Sequence, residues 1–529
     1  MGYEANAEQR ACLDDVMNGR GHVVWRARAG VGKTATLIEA LRYIPRDEDG
    51  VPLEKTIMVA FASDTAKTLE RKVPEGVEVK TLHGLGLRAL GKAFGSVSVQ
   101  KGKCRDIAMQ VSGADLDARK RPWGFALDKV VSRAKNTLAL TPEQIDALID
   151  DMQPEHPEPP RVMQRCTVCQ RWSPEDAMNP RCGHNGCQGE MVRAVRDDRP
   201  EFIRQVIECM ERSTYDLVDG QKVEPRTVDF DCMIYLPYAL QLRMPKYGRV
   251  FVDETQDLNA LQIWLSLSIV TADGRITAVG DDRQGIYGFR GAAKGALDRV
   301  VASLKARVMP MTMTYRCGTV IVREAQKLVP DIQAAPGMHE GSVEDYVSKD
   351  RMMREARPGD FILSRTNAPL LGICLEFLRE GTKANILGRD IGERLAAILR
   401  KAKTNDVGKL AEWVKQWADK EVERLEKKGE SGNGVRDQQE CLVVLMEGAR
   451  DTAAVIERIT RLFDDCKDED RITLSTTHKA KGMERDRVWM LRDTFWGAGK
   501  GNIEEDNLLY VATTRAKHAL YYVRTPRRQ

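Results

Sequence analysis

The sequence lacks long apolar runs and has no strong excess of charge of either sign. No apolar stretch approaches the roughly 18 residues of a membrane-spanning helix, so we expect no membrane span. The first residues, MGYEANAEQR, lack the apolar core of a signal peptide, and Asn6 stands where a myristoylation signal has Ser or Thr. With a net charge of only +4, a nucleic-acid partner would need a local groove. These absences favour a cytoplasmic protein of bacterial or viral origin, or a nuclear one in a eukaryotic host.

Cysteine is too sparse for a disulfide scaffold. The 529 residues contain 12 cysteines, and only those between 166 and 187 are clustered. In a reducing compartment, such a cluster favours a metal over disulfides. The length allows two to four domains, and 42% hydrophobic with 30% charged residues is an ordinary balance for a soluble protein.

Short apolar runs alternate with helical segments in two parts of the chain. In the first part, strands are predicted at 22–27, 56–60, 249–252 and 276–279, with a helix at 34–43. In the second part, strands are predicted at 361–363, 488–491 and 519–523. Apolar strands alternating with helices indicate parallel sheets covered on both faces, so the sequence predicts two α/β cores.

The segment ARAGVGKT at 27–34 has the character of a phosphate-binding loop. It follows a predicted strand and opens a predicted helix, which is the context that this motif needs. Gly30 and Gly32 allow the backbone N–H groups to turn inward at the helix start. Lys33 would neutralise the β- and γ-phosphates, and Thr34 offers a hydroxyl to Mg²⁺. The usual first glycine is Ala27 here, and an ordinary strand-to-helix turn is the alternative interpretation.

A pair of neighbouring carboxylates supplies the second half of a nucleotide site. Asp253 and Glu254 follow the predicted strand at 249–252, at the strand end where ligands bind in open α/β sheets. Asp253 would hold Mg²⁺, and Glu254 would orient and deprotonate the attacking water. An acidic surface loop is the alternative, but adjacent carboxylates repel one another unless a cation is present.

Further motifs follow in the chain: VGDDRQGIYGFRGA at 279–292, TYR at 314–316, STTHKAKGME at 475–484 and LYVATTRAK at 509–517. The order and spelling of all these motifs resemble the superfamily 1 helicases of the UvrD/Rep type, over about residues 6 to 525 apart from the inserts. This resemblance implies two RecA-like parallel-sheet motor domains, a zinc-binding insert and a small helical insert. The implied boundaries are 1–90 and 225–307 for the first motor domain (1A), 91–224 for the insert 1B, 308–395 and 467–529 for the second motor domain (2A), and 396–466 for a reduced 2B-like insert.

The resemblance also implies the residues that bind and cleave ATP. Gln9 would read adenine, Tyr315 would stack on it, and Gln284 would sense the γ-phosphate. Arg316 and Arg515 would reach the γ-phosphate from the second domain. The implied nucleotide-binding set is Gln9, Ala29, Gly30, Val31, Gly32, Lys33, Thr34, Tyr315 and Glu484. The implied catalytic set is Lys33, Asp253, Glu254, Gln284, Arg316 and Arg515, with Thr34 and Asp253 holding Mg²⁺.

The single-strand contacts follow from the resemblance in the same way. The residues implied to meet DNA are Phe61, His83, Tyr287, Phe289, Arg290 and His478. Aromatic side chains can stack on bases without reading sequence, at roughly 1–3 kcal/mol each. For each aromatic residue, packing in the core is the alternative.

The function implied is an ATP-dependent DNA helicase that translocates on single-stranded DNA, 3′ to 5′, in replication, repair or recombination. Its expected partners are single strands, duplex junctions and replication or repair proteins, and we expect a monomer. Two alternatives stay open: a translocase that displaces proteins without processive unwinding, and a DNA-binding protein switched by nucleotide.

The cysteine cluster predicts a zinc ribbon. Cys166 and Cys169 form a knuckle, and Cys182 with Cys187 completes a tetrahedral set for Zn²⁺. His184 could replace one cysteine of the wider pair. Unmetallated thiols or a redox disulfide are the alternatives. Nearby arginines could contact phosphates or form a solvated face: Arg161, Arg165, Arg171, Arg181, Arg193 and Arg196.

Overall fold

The computed structural model describes residues 4–117, 120–152, 161–174, 187, 190–218, 220–286, 295–426, 432–463, 470–499 and 502–524. The chain divides into two compact units. The first unit contains Met1–Leu82, Pro245–Glu426 and Ser431–Gln529, and the second contains His83–Met244 with Lys427–Glu430. The predicted insert at 91–224 falls inside the second unit.

The chain opens with alternating helices and strands. Asn6 caps the first helix, because its side chain accepts a hydrogen bond from the N–H of Gln9 while Gln9 Oε1 accepts one from the N–H of Asn6. The elements to residue 94 are α1 (Ala7–Asn18), β1 (Val23–Ala27), α2 (Lys33–Ala40), β2 (Thr56–Ala60), α3 (Ser63–Glu70), β3 (Val77–Thr81) and α4 (Leu82–Phe94).

The second unit is mainly helical, with a small antiparallel sheet. Its further elements are β4 (Ser98–Val99), α5 (Lys103–Ser112), α6 (Arg121–Thr137), α7 (Pro142–Met152), β5 (Arg161–Cys166), β6 (Trp172–Pro174), β7 (Met191–Arg196), α8 (Arg199–Arg212), β8 (Asp216–Val218), β9 (Gln221–Val223), β10 (Thr227–Val228) and α9 (Phe230–Ala239). The sheet has the order β6-β5-β7, and Cys166 ends its central strand. Leu127, Val130 and Phe202 are fully buried among the helices.

The first α/β core is completed by the segment after residue 245. Its elements are β11 (Tyr247–Val252), α10 (Ala260–Ser268), β12 (Val270–Gly280), α11 (Ala296–Leu304) and β13 (Arg307–Met311). The six strands have the order β13-β1-β12-β11-β2-β3, and every pairing is parallel. The parallel sheet predicted for this part of the chain is confirmed. The carboxyl ends of β1, β11 and β12 therefore meet at one edge.

A second parallel sheet follows. The elements of this part of the chain are β14 (Met313–Thr314), α12 (Thr319–Gln326), β15 (Gln333–Ala334), β16 (Ser342–Ser348), α13 (Lys349–Glu355), β17 (Phe361–Ser364), α14 (Ala368–Arg379), β18 (Ala384–Ile386), α15 (Arg389–Lys401), α16 (Val407–Glu426), α17 (Asn433–Met446), α18 (Thr452–Leu462), β19 (Ile472–Thr476), β20 (Arg485–Leu491), α19 (Ile503–Thr513) and β21 (Ala516–Arg524). The short strands β14 and β15 pair only with each other. The sheet has the order β16-β21-β20-β17-β19-β18 and is parallel throughout. The second α/β core is thus confirmed.

The described part of the segment predicted as a small helical insert, 396–466, contains the end of α15 and the helices α16, α17 and α18, with short non-helical connections between them. α15 to α18 pack on the second sheet through buried residues such as Leu410, Leu442 and Ile459. Across the part of the chain that the structure covers, no helix combines the length and the apolar character needed to cross a membrane.

Candidate nucleotide and nucleic-acid sites

The loop between β1 and α2 has the backbone geometry of a phosphate cradle. Gly30 and Gly32 have φ of 73° and 77°, in the left-handed region that favours glycine. Gly32 immediately precedes α2, so the free N–H groups of the first turn face the loop. A Cβ on Gly30 would overlap Thr314 and Arg316, which belong to the segment leading into the second sheet. Glycine at position 30 is therefore required both by conformation and by this close approach.

The cation and carboxylates predicted for catalysis lie together at the edge of the first sheet. Lys33 Nζ lies 3.3 Å from Glu254 Oε2, and Thr34 Oγ1 donates to Asp253 Oδ2 at 2.7 Å. Burial opposes ionisation of Glu254, but the charges of Lys33 and Lys481 outweigh it and lower its pKa to about 2. Burial and the neighbouring Glu254 raise the pKa of Asp253 to about 6. The pKa values of the two adjacent carboxylates thus shift in opposite directions, and Glu254 is held in the ionised form that can orient a water molecule and accept a proton.

The side-chain amide of Gln256 links the ends of two strands. Its Nε2 donates to Glu254, and its Oε1 accepts the N–H of Asp281 at 3.0 Å. Asp281 in turn follows β12 and is fully buried. The position of Glu254 is therefore tied to the segment after β12, which contains Gln284.

Arg515 reaches the site from the second sheet and is 1% exposed. Its Nε donates to the carbonyl of Val511 at 3.0 Å, and its Nη1 donates to that of Met483 at 3.0 Å. Its Nη2 is buried without a hydrogen-bond partner among the described residues. Burial, together with the charge of Arg316, lowers the pKa of Arg515 to about 9. A buried guanidinium with one free donor fits an anionic ligand, since an unmet donor is costly in the interior.

Arg316 is the other arginine of the second domain. Its Nε pairs with Glu484 Oε2 at 2.6 Å, and its Nη1 donates to the carbonyl of Thr514 at 3.2 Å. Glu484 also pairs with Lys517 at 3.2 Å. Glu484 therefore forms ion pairs with both Arg316 and Lys517 of the second domain. The sequence predicted Glu484 as a nucleotide-binding residue but did not predict these ion pairs.

These side chains line one cleft of about 560 Å³. The predicted residues on its wall are Gly30, Gly32, Lys33, Thr34, Phe61, Asp253, Glu254, Gln284, Arg316 and Arg515. A neighbouring cavity of about 470 Å³ is lined by Gly30, Gly32, Tyr315, Arg316, Met338, His339, Glu484, Lys517 and His518. The structure thus brings the predicted catalytic residues of both sheets to a single cleft.

The remaining predicted nucleotide residues surround the phosphate loop. Gln9 Nε2 donates to the carbonyl of Val31 at 3.0 Å, so α1 is fixed to the loop. The N–H of Tyr315 donates to the carbonyl of Gly30 at 2.9 Å, and its hydroxyl accepts from Asn6 Nδ2 at 2.9 Å. The ring of Tyr315 is 45% exposed, which leaves a face free for stacking.

Three contacts between the motor sheets were not predicted from the sequence. Lys481 Nζ lies 2.6 Å from Asp257 Oδ2 and donates to the carbonyl of Gln284 at 2.8 Å. The Tyr510 hydroxyl accepts the N–H of Ala29 at 3.0 Å. Lys481 and Tyr510 lie within the sequence motifs at 475–484 and 509–517, but a motif does not indicate which residue each side chain contacts.

Arg28, in the phosphate loop, makes the third of these contacts. Its guanidinium binds three carboxylates: Asp281 and Asp282 after β12, at 3.2 and 2.8 Å, and Asp331 before β15, at 2.7 Å. Burial lowers the pKa of Arg28, but these carboxylates outweigh it and the pKa is raised. Arg28 therefore links the phosphate loop to the segment after β12 and to the segment before β15.

The predicted DNA contacts lie in different surroundings. Phe61 is 39% exposed at the nucleotide cleft, and His478 is half-buried after β19. His83, in the second unit, stacks on Phe230 with ring centroids 3.8 Å apart. Tyr287, Phe289 and Arg290 lie outside the described residues, as do Cys182 and His184 of the cysteine cluster.

The described members of the cysteine cluster lie close to one another. The sulfurs of Cys166, Cys169 and Cys187 all lie within 4.8 Å of each other, and Cys166 Sγ is 3.7 Å from Cys187 Sγ. The N–H of Val168 donates to Cys166 Sγ at 3.4 Å. Three thiols at such distances, two of them at the end of β5 and the turn that follows it, suit a tetrahedral zinc ion with one further ligand.

The oxygen atoms around Lys33 also fit Mg²⁺. Thr34 offers a hydroxyl and Asp253 a carboxylate, and hard oxygen ligands are those that Mg²⁺ takes beside phosphates. The ion would neutralise charge on the β- and γ-phosphates.

Two parallel six-stranded sheets in one unit, with a phosphate loop on one and arginines supplied by the other, form two α/β domains that share one cleft. Comparison with known families matches residues 5–303 to the UvrD/REP helicase N-terminal domain and 367–525 to the UvrD-like helicase C-terminal domain. The chain belongs to the UvrD/REP helicase family.

Individual relatives are distant. The ATP-dependent DNA helicase Rep of Salmonella typhimurium is 25% identical over 320 residues, which are 57% of this chain and 40% of that protein. The Rep helicase of Escherichia coli matches to the same extent. DNA helicase II of Haemophilus influenzae is 29% identical over 133 residues, 24% of this chain and 18% of that protein. The matched part thus spans less than half the length of these relatives.

Proposed function

We propose that this protein is an ATP-dependent DNA helicase that translocates on single-stranded DNA, 3′ to 5′, and unwinds duplexes in replication, repair or recombination. The observation that carries the proposal is the shared cleft: Lys33, Asp253 and Glu254 come from the first sheet, and Arg316 and Arg515 come from the second. A triphosphate there would contact both domains. Family membership supports the DNA substrate, and the polarity rests on the resemblance to the UvrD branch.

The chemistry follows from the charges in the cleft. Phosphoryl transfer leaves little covalent work to the protein, so catalysis is positioning and neutralisation of charge. Lys33 holds the phosphates, Glu254 orients the water and accepts its proton, and the free Nη2 of Arg515 stabilises charge in the transition state. After cleavage, the γ-phosphate no longer joins the two domains. Their preferred arrangement then changes, which provides the step.

The decisive experiment measures ATP turnover with and without single strands, and displacement on 3′- and 5′-tailed DNA and RNA duplexes. Glu254→Gln should lower strand-stimulated turnover about 100-fold or more and leave strand binding intact. The matched control is Glu39→Gln, the same chemical change in α2 outside the cleft, which should retain turnover. Lys33→Ala should behave like Glu254→Gln.

The alternatives give different results in this experiment. Strand-stimulated turnover without displacement on any tail indicates a translocase that strips proteins. Slow turnover that single strands do not change indicates a nucleotide-switched binding protein. Displacement only from 5′ tails would contradict the proposed polarity.

We also propose that the cysteine cluster binds zinc as a structural ribbon beside the nucleic-acid path. Cys166, Cys169 and Cys187 supply three sulfurs, and Cys182 or His184 is the proposed fourth ligand. Metal analysis of the purified protein should find about one zinc per chain. Cys166→Ser with Cys169→Ser should abolish zinc binding, whereas Cys374→Ser, a buried thiol in α14, should not. Unchanged DNA affinity of the folded double variant at several salt concentrations would exclude the nucleic-acid contact.

A further inference from the structure

Lys135 lies in an unusual place for an ammonium group. It belongs to α6 in the second unit and is 0% exposed. Its Nζ lies 2.9 Å from Cys104 Sγ and 3.2 Å from Cys232 Sγ, and 5.1 Å from the ring centre of Tyr235. Because a buried ammonium is costly without an anion, the contact with two sulfurs requires a chemical explanation.

The two thiols are in contact with each other and are held by a shared carboxylate. Cys104 Sγ lies 3.4 Å from Cys232 Sγ. Asp229 accepts the N–H of Cys104 at 2.9 Å through Oδ2 and that of Cys232 at 3.0 Å through Oδ1. One side chain thus fixes the starts of α5 and α9, so that both sulfurs meet at Lys135 Nζ.

This arrangement favours a thiolate on Cys232. The hydrogen bond from the Cys104 thiol lowers the pKa of Cys232, and the charge of Lys135 acts in the same direction against burial. The pKa of Cys104 is raised, because Cys104 keeps the proton that it donates to Cys232 and because burial disfavours its charged form. The buried ammonium thereby gains an anionic partner.

The same three residues are poorly arranged for a metal. Cys104, Asp229 and Cys232 lie within ligand distance of one another. However, the Lys135 ammonium already contacts both sulfurs, and its positive charge would repel a divalent cation. Both Asp229 oxygens also accept backbone N–H groups. The cluster is therefore better suited to thiol chemistry than to metal binding.

We propose that Cys104 and Cys232 are a redox-modification site, in which a peroxide joins them in a disulfide between α5 and α9. The Cys232 thiolate attacks one peroxide oxygen and the O–O bond breaks, giving a sulfenic acid and hydroxide. The Cys104 sulfur then attacks Cys232 Sγ; the S–S bond forms and the S–O bond breaks. The departing hydroxide leaves as water with the Cys104 proton, and the first hydroxide takes a solvent proton. Overall, two thiols and hydrogen peroxide give a disulfide and two waters.

Selectivity for this pair over the buried thiols outside the cysteine cluster at 166–187 follows from the surroundings of those thiols. Burial raises the pKa of Cys12, Cys209, Cys317, Cys374 and Cys441. These thiols therefore stay protonated and react slowly, since the thiolate is the nucleophile. Cys104 is 6% exposed and Cys232 is fully buried, so a small peroxide would have to reach the pair from the Cys104 side.

The experiment exposes the native full-length protein to hydrogen peroxide, blocks the remaining thiols and maps peptides by mass spectrometry. The expected product is a pair of peptides joined between Cys104 and Cys232, lighter by two hydrogens and released by a reductant. It should form at least about tenfold faster than Cys209 is oxidised in the same sample. Cys209→Ser, a buried thiol of α8 in the same unit, should form the link normally, and Cys104→Ser should not.

Lys135→Met tests the ammonium directly, because methionine has a similar length and no charge. Its link should form at least about tenfold more slowly, provided that the variant unfolds cooperatively like the wild type. The wild-type comparison with Cys209 does not depend on that variant. Equal oxidation rates for Cys232 and Cys209, a folded Lys135→Met variant that reacts at the wild-type rate, or a product bridging Lys135 to a sulfur through oxygen would each overturn the proposal.

Discussion

The hydroxyl of Tyr510 offers a sharp test of how the two motor domains act on the phosphate loop. It accepts the N–H of Ala29 at 3.0 Å and donates to Asp281 Oδ2 at 3.4 Å. Tyr510 lies in α19 of the second domain, whereas Ala29 and Asp281 follow strands of the first. Tyr510→Phe removes one oxygen atom and leaves the ring, which is fully buried, in place.

The magnitude can be worked from these contacts. In the variant, the Ala29 N–H, in a residue that is 0% exposed, loses its acceptor. An unmet buried donor costs about 1–3 kcal/mol, and the longer bond to Asp281 adds little. We therefore expect the closed arrangement of the two domains to lose about 1–2 kcal/mol, which corresponds to a factor of about 5–30.

The assay is the equilibrium affinity for a non-hydrolysable ATP analogue, together with strand-stimulated turnover. A nucleotide that contacts both domains binds the closed arrangement, so its apparent dissociation constant should rise by the same factor of about 5–30. The control is Tyr522→Phe, which removes a buried hydroxyl bonded to Glu324 at 3.1 Å in the same domain. Nucleotide affinity within about twofold of the wild type for Tyr510→Phe, or an equal loss in Tyr522→Phe, would refute the reasoning.

Lys481, Arg515 and His83 give three further expected outcomes. Lys481→Met removes the cation that lies 2.6 Å from Asp257 and should lower strand-stimulated turnover about tenfold or more. In a double-mutant cycle, adding Asp257→Asn to Lys481→Met should lower turnover little further, because the ion pair is already lost. Arg515→Lys loses the free Nη2 donor and should lower kcat by about 1000-fold with nearly unchanged ATP affinity in direct binding. Burial lowers the pKa of His83 to about 4. Between pH 6.5 and 4 the unfolded state therefore binds more protons than the folded state, so the free energy of unfolding should fall as the pH is lowered through this range. In His83→Gln, the change in unfolding free energy between pH 6.5 and 4, measured by chemical denaturation, should be smaller by at most about 3 kcal/mol.

Local motifs made the phosphate site predictable. Gly30, Gly32 and Lys33 are consecutive or nearly so, and their chemistry requires only the strand before them and the helix after them. The same holds for Asp253 and Glu254 at the end of β11. One turn of backbone places such residues, so their spacing in the sequence is enough to predict how they are arranged.

Contacts between distant segments were not predictable in this way. Lys481 and Asp257 are 224 positions apart, and no periodicity or spacing indicates that they pair. In the second sheet, the strands β16, β18 and β19 also went unpredicted. β16, an edge strand with the sequence SVEDYVS, has only Val347 buried, and β18 has three residues. β19, with the sequence ITLST, is fully buried, but Thr and Ser interrupt the apolar run that made the other central strands recognisable.

Gln256 provides a route by which a bound strand could change the rate of ATP cleavage. Tyr287, Phe289 and Arg290, which the family resemblance assigns to strand binding, follow closely in the sequence after the segment that contains Gln284. The carbonyl of Gln284 accepts from Lys481 at 2.8 Å, and the N–H of Asp281 donates to Gln256, whose amide contacts Glu254. A shift of this segment would therefore move both the water-orienting carboxylate and the lysine of the second domain. Single strands would then act on ATP turnover through the same hydrogen bonds that hold the cleft together. In Gln256→Ala, we therefore expect the stimulation of turnover by single strands to be lost to a greater extent than the turnover measured without DNA.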